Sequence, residues 1–146
     1  MNKPVLLVAE DNHLDAMLME RLVERSEAPL RMMRVENGEG VINYLEGTGS
    51  YADRAAHPPA DLLLLDLKMP RKDGFAVLRW RRENPAYARL PIIVFSSSNL
   101  KDDITQAYAL GANSYVVKPT DPLRLESMIK ALHTWWCGFN VTALRS

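Results

Sequence analysis

Five residues of this chain stand where chemistry can be done. Glu10 and Asp11 close the apolar run Val5–Ala9, Asp66 closes Leu62–Leu65, Ser96 follows Ile92–Phe95, and Lys118 follows Ser114–Val117. Three carboxylates packed together repel one another, so a divalent cation is their natural neutraliser. All-oxygen ligation with open water positions suits Mg2+ or Mn2+. An ammonium and a hydroxyl beside such a cation are the groups needed to hold phosphoryl oxygens. A carboxylate there can attack an in-line phosphoryl group and become an acyl phosphate. An ionised nucleophile needs no general-base histidine, and this set contains none. Singly, each residue is bland. An acidic pair at a helix start mostly complements the helix dipole. Ser96 in "FSSSN" reads as a loop or cap residue, with Ser98 or Asn99 capping the next helix. Lys118 reads as solvated and Asp66 as a turn-former. Their joint placement at strand ends is what carries chemical meaning.

The elements that must position them alternate. Apolar runs cover residues 4–9, 31–36, 61–66, 91–95 and 114–117. Val5–Ala9, Leu62–Leu65 and Ile92–Phe95 are apolar on successive residues, the pattern of parallel strands covered on both faces. Between them lie helical patterns. Leu14, Met17 or Leu18, and Leu22 mark a first helix, with Asn12 and Asp15 placed as a capping pair. Val41, Ile42 and Leu45 mark a short second one ending near Gly47. Phe75, Leu78 and the stem of Arg82 mark a third, stopped by Asn84-Pro85. Ile104, Ala107, Tyr108 and Leu110 mark a fourth, closed by Gly111. A fifth opens at Thr120-Asp121-Pro122 and carries Leu125, Ile129, Leu132 and Trp136 on one face. Five strands alternating with five helices predict an α/β doubly wound fold, whose ligands bind outside the carboxyl ends of the strands. The second strand supplies no comparable group. Residues 46–60 form a polar loop longer than most such connections, read as a tolerated surface insertion with a partner-contacting loop as the alternative.

Composition excludes other classes. The 146 residues suit one domain, 47% hydrophobic and 25% charged, as in an ordinary globular protein. Lys+Arg and Asp+Glu balance at 18 each, so no global field favours nucleic acid or an anionic membrane. Arg79, Arg81 and Arg82 read as the solvated face of a helix. No apolar run approaches the roughly 20 residues needed to span a bilayer. An acidic pair within a dozen residues of the start leaves no room for a signal peptide. A lone Cys137 is compatible with a reducing compartment, and a cytoplasmic location is expected.

Four segments, "LLVAEDN", "LLLLDLKMPRKDG", "PIIVFSS" and "GANSYVVKP", resemble in order and spacing the receiver domain of two-component response regulators. The resemblance implies a flavodoxin-like five-stranded parallel sheet in strand order 2-1-3-4-5 with helices on both faces. It implies that Asp66 accepts a phosphoryl group from a histidine kinase and that Glu10, Asp11 and Asp66 hold Mg2+, with the backbone carbonyl of Lys68 completing the protein ligands. Ser96 is then the switch hydroxyl, Lys118 contacts the phosphoryl group, and Tyr115 is the switch aromatic. The Lys118–Pro119 bond is expected cis. Glu10 for the commoner Asp, and Ser96 for the commoner Thr, are mild departures. Lys68 and Ser98 occupy positions that tune loss of the phosphoryl group. A phosphatase with an aspartyl nucleophile would want a second Asp where Lys68 stands. The intact site also argues against a phospho-independent binding module.

One domain is expected over residues 1–146: a receiver core of about 3–131, an extension of about 132–146, and no output domain. Output would then run through the receiver surface, with a phosphate shuttle to a histidine phosphotransfer protein as an alternative. In the extension, Trp135, Trp136, Phe139, Val141 and Leu144 cannot all be covered by the helix that bears them. They pack locally or form a homodimer interface, and the dimer is preferred. The tail and the long loop are similar to the small receivers that serve bacterial phytochromes, which implies a phytochrome histidine kinase as partner. His13 reads as a surface or cap residue.

Overall fold

The fold, taken from a computed structural model, is described for residues 3–26 and 30–141. Strands β1 (Val5–Ala9), β2 (Arg31–Val35), β3 (Leu62–Leu65), β4 (Ile92–Ser96) and β5 (Ser114–Val117) alternate with helices α1 (His13–Arg25), α2 (Gly38–Glu46), α3 (Gly74–Glu83), α4 (Lys101–Ala109) and α5 (Pro122–His133). All strand pairs are parallel and the order is β2-β1-β3-β4-β5. Successive apolar residues have the physical consequence expected of them. Leu63 and Leu65 join one core with residues of α2, α3 and α4 (Val41, Tyr44, Val77, Leu78, Ala107). Leu62 and Leu64 join the other, with Met19, Leu22 and Val23 of α1 and Leu125 and Ile129 of α5. Every residue of β1 and β3 is buried, so a polar residue there would lack water on either side.

Register then sets the edge at which the chain leaves the sheet. Ala9 pairs with both Val35 and Leu65, so Glu10 and Asp66 emerge side by side. Glu10 N–H donates to Val35 O at 3.0 Å, and Asp66 N–H to Ala9 O at 3.2 Å. On the far side Ser96 pairs with Val117, and Lys118 N–H donates to Ser96 O at 2.8 Å.

Several local expectations are corrected. The buried face of α1 is Ala16, Met19, Leu22 and Val23, while Leu14 and Met17 are exposed. Two neighbouring apolar stripes both include Leu22, and only the angle at which α1 meets the sheet selects between them. In α4, Tyr108 is exposed although Ala107 and Leu110 are buried, because the helix meets the sheet on the Ala107 side. The arginines of α3 do not share one solvated face. Arg82 is exposed, but Arg81 is buried and donates to Leu90 O at 2.6 Å, to Asn113 Oδ1 at 3.0 Å and to Gly111 O. It thereby fastens α3 to the turns that precede β4 and β5, and burial lowers its pKa. Among the described residues no peptide bond is cis, so Lys118–Pro119 is trans, the isomer a prolyl bond ordinarily prefers by about 0.5–1 kcal/mol.

The long loop is packed, with a short 3-10 turn at Gly49–Tyr51. Tyr44 is fully buried and donates its hydroxyl to Pro58 O at 2.7 Å. Arg54 Nη1 donates to Tyr44 O at 2.8 Å, and the His57 ring meets Tyr44 and Tyr51 edge-on. Beyond α5 the chain widens into a π-helical turn, Thr134–Phe139. Trp136 packs against the α1/α5 core, whereas Trp135 is 61% and Phe139 71% exposed, their rings stacked 6.3 Å apart. Leu144 lies outside the described residues. No helix among the described residues is long and apolar enough to cross a membrane.

Candidate functional site

At the carboxyl ends of β1 and β3, carboxylate oxygens of Glu10, Asp11 and Asp66 all lie within 4.8 Å of one another. Glu10 and Asp66 are buried, and Asp11 faces solvent. Lys118 Nζ sits between the buried pair, 2.5 Å from Glu10 Oε1 and 3.0 Å from Asp66 Oδ2. The ammonium also lies 5.7 Å from the Phe95 ring centroid, over its face, a further favourable contact for a cation. Burial pushes the Glu10 carboxyl above its ordinary pKa, against the opposing pull of the Lys118 and Asn12 hydrogen bonds. Burial pulls the Lys118 ammonium down, but its bonds to Glu10 and Asp66 outweigh this and leave it above its ordinary value. Lys118 is therefore held charged. The site is an anionic crevice with one internal cation.

The backbone around Asp66 is fixed at three points. Lys68 N–H donates to Asp66 Oδ1 at 3.3 Å, orienting the carboxylate, while the Lys68 side chain is exposed. Gly74 opens α3 directly beneath Asp66. A Cβ there would come within 2.4 Å of Asp66 O, so the glycine is required by close backbone approach. Asp73 caps that helix by accepting from Ala76 N–H at 2.9 Å. Between these points Arg71 and Lys72 adopt left-handed conformations with φ of 49° and 78°. Their carbonyls accept from the free N–H groups of Glu39 and Gly38 at the start of α2, at 3.1 and 3.0 Å, which offsets the strain.

On the β4 side, Ser96 is fully buried and its Oγ accepts from Ser98 N–H at 3.1 Å. The half-buried Tyr115 donates its hydroxyl to Ser98 O at 2.8 Å. The expected switch hydroxyl and switch aromatic thus meet through one loop residue. Ser98 accepts from Leu100 N–H at 3.3 Å, whereas Asn99 makes no side-chain cap of α4.

Two supporting residues escaped the sequence reading. Arg34 of β2 donates Nε to Glu10 O at 3.0 Å and Nη1 lies 3.3 Å from His13 Nδ1, so the second strand does brace the acidic pair. Arg81 stands behind the β4 and β5 turns, as described above. Neither carries a motif, since each acts largely through backbone carbonyls that any sequence possesses. A cleft of about 900 Å3 at the other end of the sheet is lined by Pro59, Leu90, Asn113 and Trp136 and includes none of the five site residues.

The donor set fits a hard divalent cation. Three carboxylate oxygens converge, two of them from buried residues that an ammonium already compensates, and among the described residues no histidine or cysteine joins the cluster.

Known proteins similar to this chain share its fold. The profile of the response regulator receiver domain matches residues 6–130. Response regulator Rcp1 of Synechocystis sp. is 30% identical over 132 residues, spanning 90% of this chain and 88% of that protein. A solved Mn2+-bound form of Rcp1 superposes with a TM-score of 0.84 at 28% identity, over 97% of this chain and 99% of the other. Response regulator RPA3017, described in red light signalling of R. palustris, gives a TM-score of 0.90 at 33% identity, over 97% and 99% of the two chains. The phosphorylated cyanobacterial phytochrome response regulator RcpA gives 0.87 at 30% identity, with the same coverage. With its strand order, its acidic crevice and a family profile running from β1 into α5, the chain belongs to the response regulator receiver domain family.

Proposed function

We propose that Asp66 accepts a phosphoryl group from a histidine kinase in a Mg2+-dependent reaction, and that the phosphorylated chain signals through changed contacts of its own surface. The observation that carries this reading is the pairing of Asp66 and Glu10 with Lys118 in one buried crevice that Asp11 completes. The bond from Asp66 oxygen to phosphorus forms as the phosphorus–nitrogen bond of phosphohistidine breaks, and the electron pair returns to the imidazole, which takes up a proton. Glu10, Asp11, Asp66 and the carbonyl of Lys68 would hold Mg2+, or Mn2+ in its place. There the cation would supply neutralisation of the charge that gathers between nucleophile and phosphoryl group. Lys118, already charged, donates to a phosphoryl oxygen, and the Ser96 hydroxyl to another. Tyr115 then reports the position of Ser96 to the surface. The chain is a signalling phosphoacceptor on this reading, because Lys68 cannot act as the general acid–base that a phosphatase would need there.

Incubation with acetyl phosphate and Mg2+ is expected to add one phosphoryl mass, read by intact-protein mass spectrometry. Asp66→Asn should abolish the addition, and unchanged labelling of that variant would defeat the assignment. The descriptions of RPA3017 and RcpA support a phytochrome as the donor kinase, to be tested by phosphotransfer from a purified phytochrome kinase. The receiver core of about residues 3–131 would carry the chemistry and the extension the contacts. Exposed Trp135 and Phe139 support a homodimer through that extension, so Trp135→Ala/Phe139→Ala should lower the mass measured by light scattering. Equal masses for variant and wild type would refute that interface.

A further inference from the structure

Ser98, two residues beyond Ser96, is buried, and every hydrogen-bonding group it owns is engaged inside the chain. Its N–H donates to Ser96 Oγ at 3.1 Å and its carbonyl accepts from the Tyr115 hydroxyl at 2.8 Å. Its own hydroxyl accepts from Leu100 N–H at 3.3 Å and donates to Asp103 Oδ2 at 2.6 Å. The last of these is short and charge-assisted, the strongest kind a hydroxyl makes. Asp103 lies in the first turn of α4, where an acid ordinarily serves the helix dipole. Here its carboxylate is turned back onto the loop instead.

Without the Asp103 bond, the Ser98 side chain would be free to rotate and its peptide groups free to tilt. Those peptide groups are what Ser96 and Tyr115 hold. A hydroxyl that must meet a phosphoryl oxygen within a few tenths of an ångström works best when its supports are themselves fixed. We propose that Asp103 is a positioning residue for the phosphoryl site: it fixes Ser98, and through Ser98 it fixes Ser96 Oγ and the Tyr115 hydroxyl, so that α4 and the site respond as one unit. This inference rests on the phosphoacceptor reading of Asp66 and adds a residue that makes none of the contacts expected of the metal or of the phosphoryl group.

The test uses the full chain, titrated first with Mg2+ alone and then, at saturating Mg2+, with beryllofluoride as a phosphoryl mimic, followed by calorimetry and by fluorine NMR of the bound mimic. Asp103→Ala is expected to weaken beryllofluoride binding about tenfold, the order of coupling carried by a residue that acts through its neighbours. Its Mg2+ affinity should stay within about twofold of wild type, since the carboxylate cluster is untouched. Asp103→Asn keeps an oxygen acceptor for the Ser98 hydroxyl and should recover most of the loss. Ser98→Ala should weaken the mimic similarly, and the double variant no further than either single one. Equal beryllofluoride affinity in Asp103→Ala and wild type, with a lower melting temperature alone, would reduce Asp103 to a helix-dipole residue and overturn the proposal. A wild type that binds Mg2+ but no beryllofluoride would instead bring down the phosphoacceptor reading itself.

Discussion

Lys118→Met is the most informative single perturbation of the crevice, because it removes the internal cation while nearly preserving volume. The ammonium lies 2.5 Å from Glu10 and 3.0 Å from Asp66, and the three side chains are 16%, 5% and 9% exposed respectively. At an effective dielectric of ~20 the two attractions amount to roughly 6.6 and 5.5 kcal/mol. Desolvation of the three groups takes back several kcal/mol for each ion, so the sum overstates the net effect. Breaking a buried pair by removing one partner typically destabilises by about 3–5 kcal/mol, because the remaining charge stays buried and uncompensated. For a chain of this size that corresponds to a fall in melting temperature of roughly 10–16 °C. The loss should be largest in chelator and smaller in Mg2+, since a dication held by Glu10, Asp11 and Asp66 can take over the neutralising role. Mg2+ at a hundredfold over its dissociation constant stabilises a native state by about 2.7 kcal/mol. The increment should be larger in Lys118→Met than in wild type. The assay is thermal unfolding by circular dichroism, both proteins in chelator and in Mg2+. A variant that melts with wild type in chelator, or gains no more from Mg2+ than wild type does, would refute the account of Lys118 as the internal counter-ion.

Three further outcomes follow from the geometry. Gly74→Ala should destabilise by about 3 kcal/mol or more in urea unfolding, because its Cβ would lie 2.4 Å from Asp66 O and backbone must shift. The same displacement should slow labelling by acetyl phosphate. Arg81→Met should cost about 2–4 kcal/mol by the same measurement, since it leaves Leu90 O, Gly111 O and Asn113 Oδ1 without their shared donor. An unaltered urea midpoint would show that water satisfies those acceptors equally well. Tyr44→Phe removes one hydroxyl bond to Pro58 O and should cost about 1 kcal/mol, with limited proteolysis of residues 48–58 accelerated if that bond pins the loop.

How far each feature was legible depends on how local its cause is. The both-face burial of β3 is written in four consecutive leucines, and the cap of α1 in Asn12, because these depend on a few neighbouring residues. The buried face of α1 was legible in part: Leu18 and Leu22 do pack on the core, but Leu14 and Met17 are exposed, and Ala16, Met19 and Val23 complete the face that the sheet meets. Arg81 was unreadable for a related reason. Between Arg79 and Arg82 it looks like any helix-surface arginine, and its partners are carbonyls and an amide drawn from two later turns.

By itself the sequence determined the element order, the parallel sheet with β1 and β3 buried on both faces, and the placement of Glu10, Asp11, Asp66, Ser96 and Lys118 at strand ends. Residue type and spacing suffice for that, because a strand's end is marked where its apolar run stops. Tertiary structure alone decided what that set is doing to itself: that Lys118 lies between two buried carboxylates rather than in solvent, that Gly74 must be glycine because Asp66 O lies against it, and that Ser96, Ser98, Tyr115 and Asp103 form one hydrogen-bonded unit. Strand register brings Lys118 to Glu10 and Asp66, and Tyr115 to Ser98, whereas the Gly74 approach and the Asp103 bond depend on the path of the loops that follow β3 and β4.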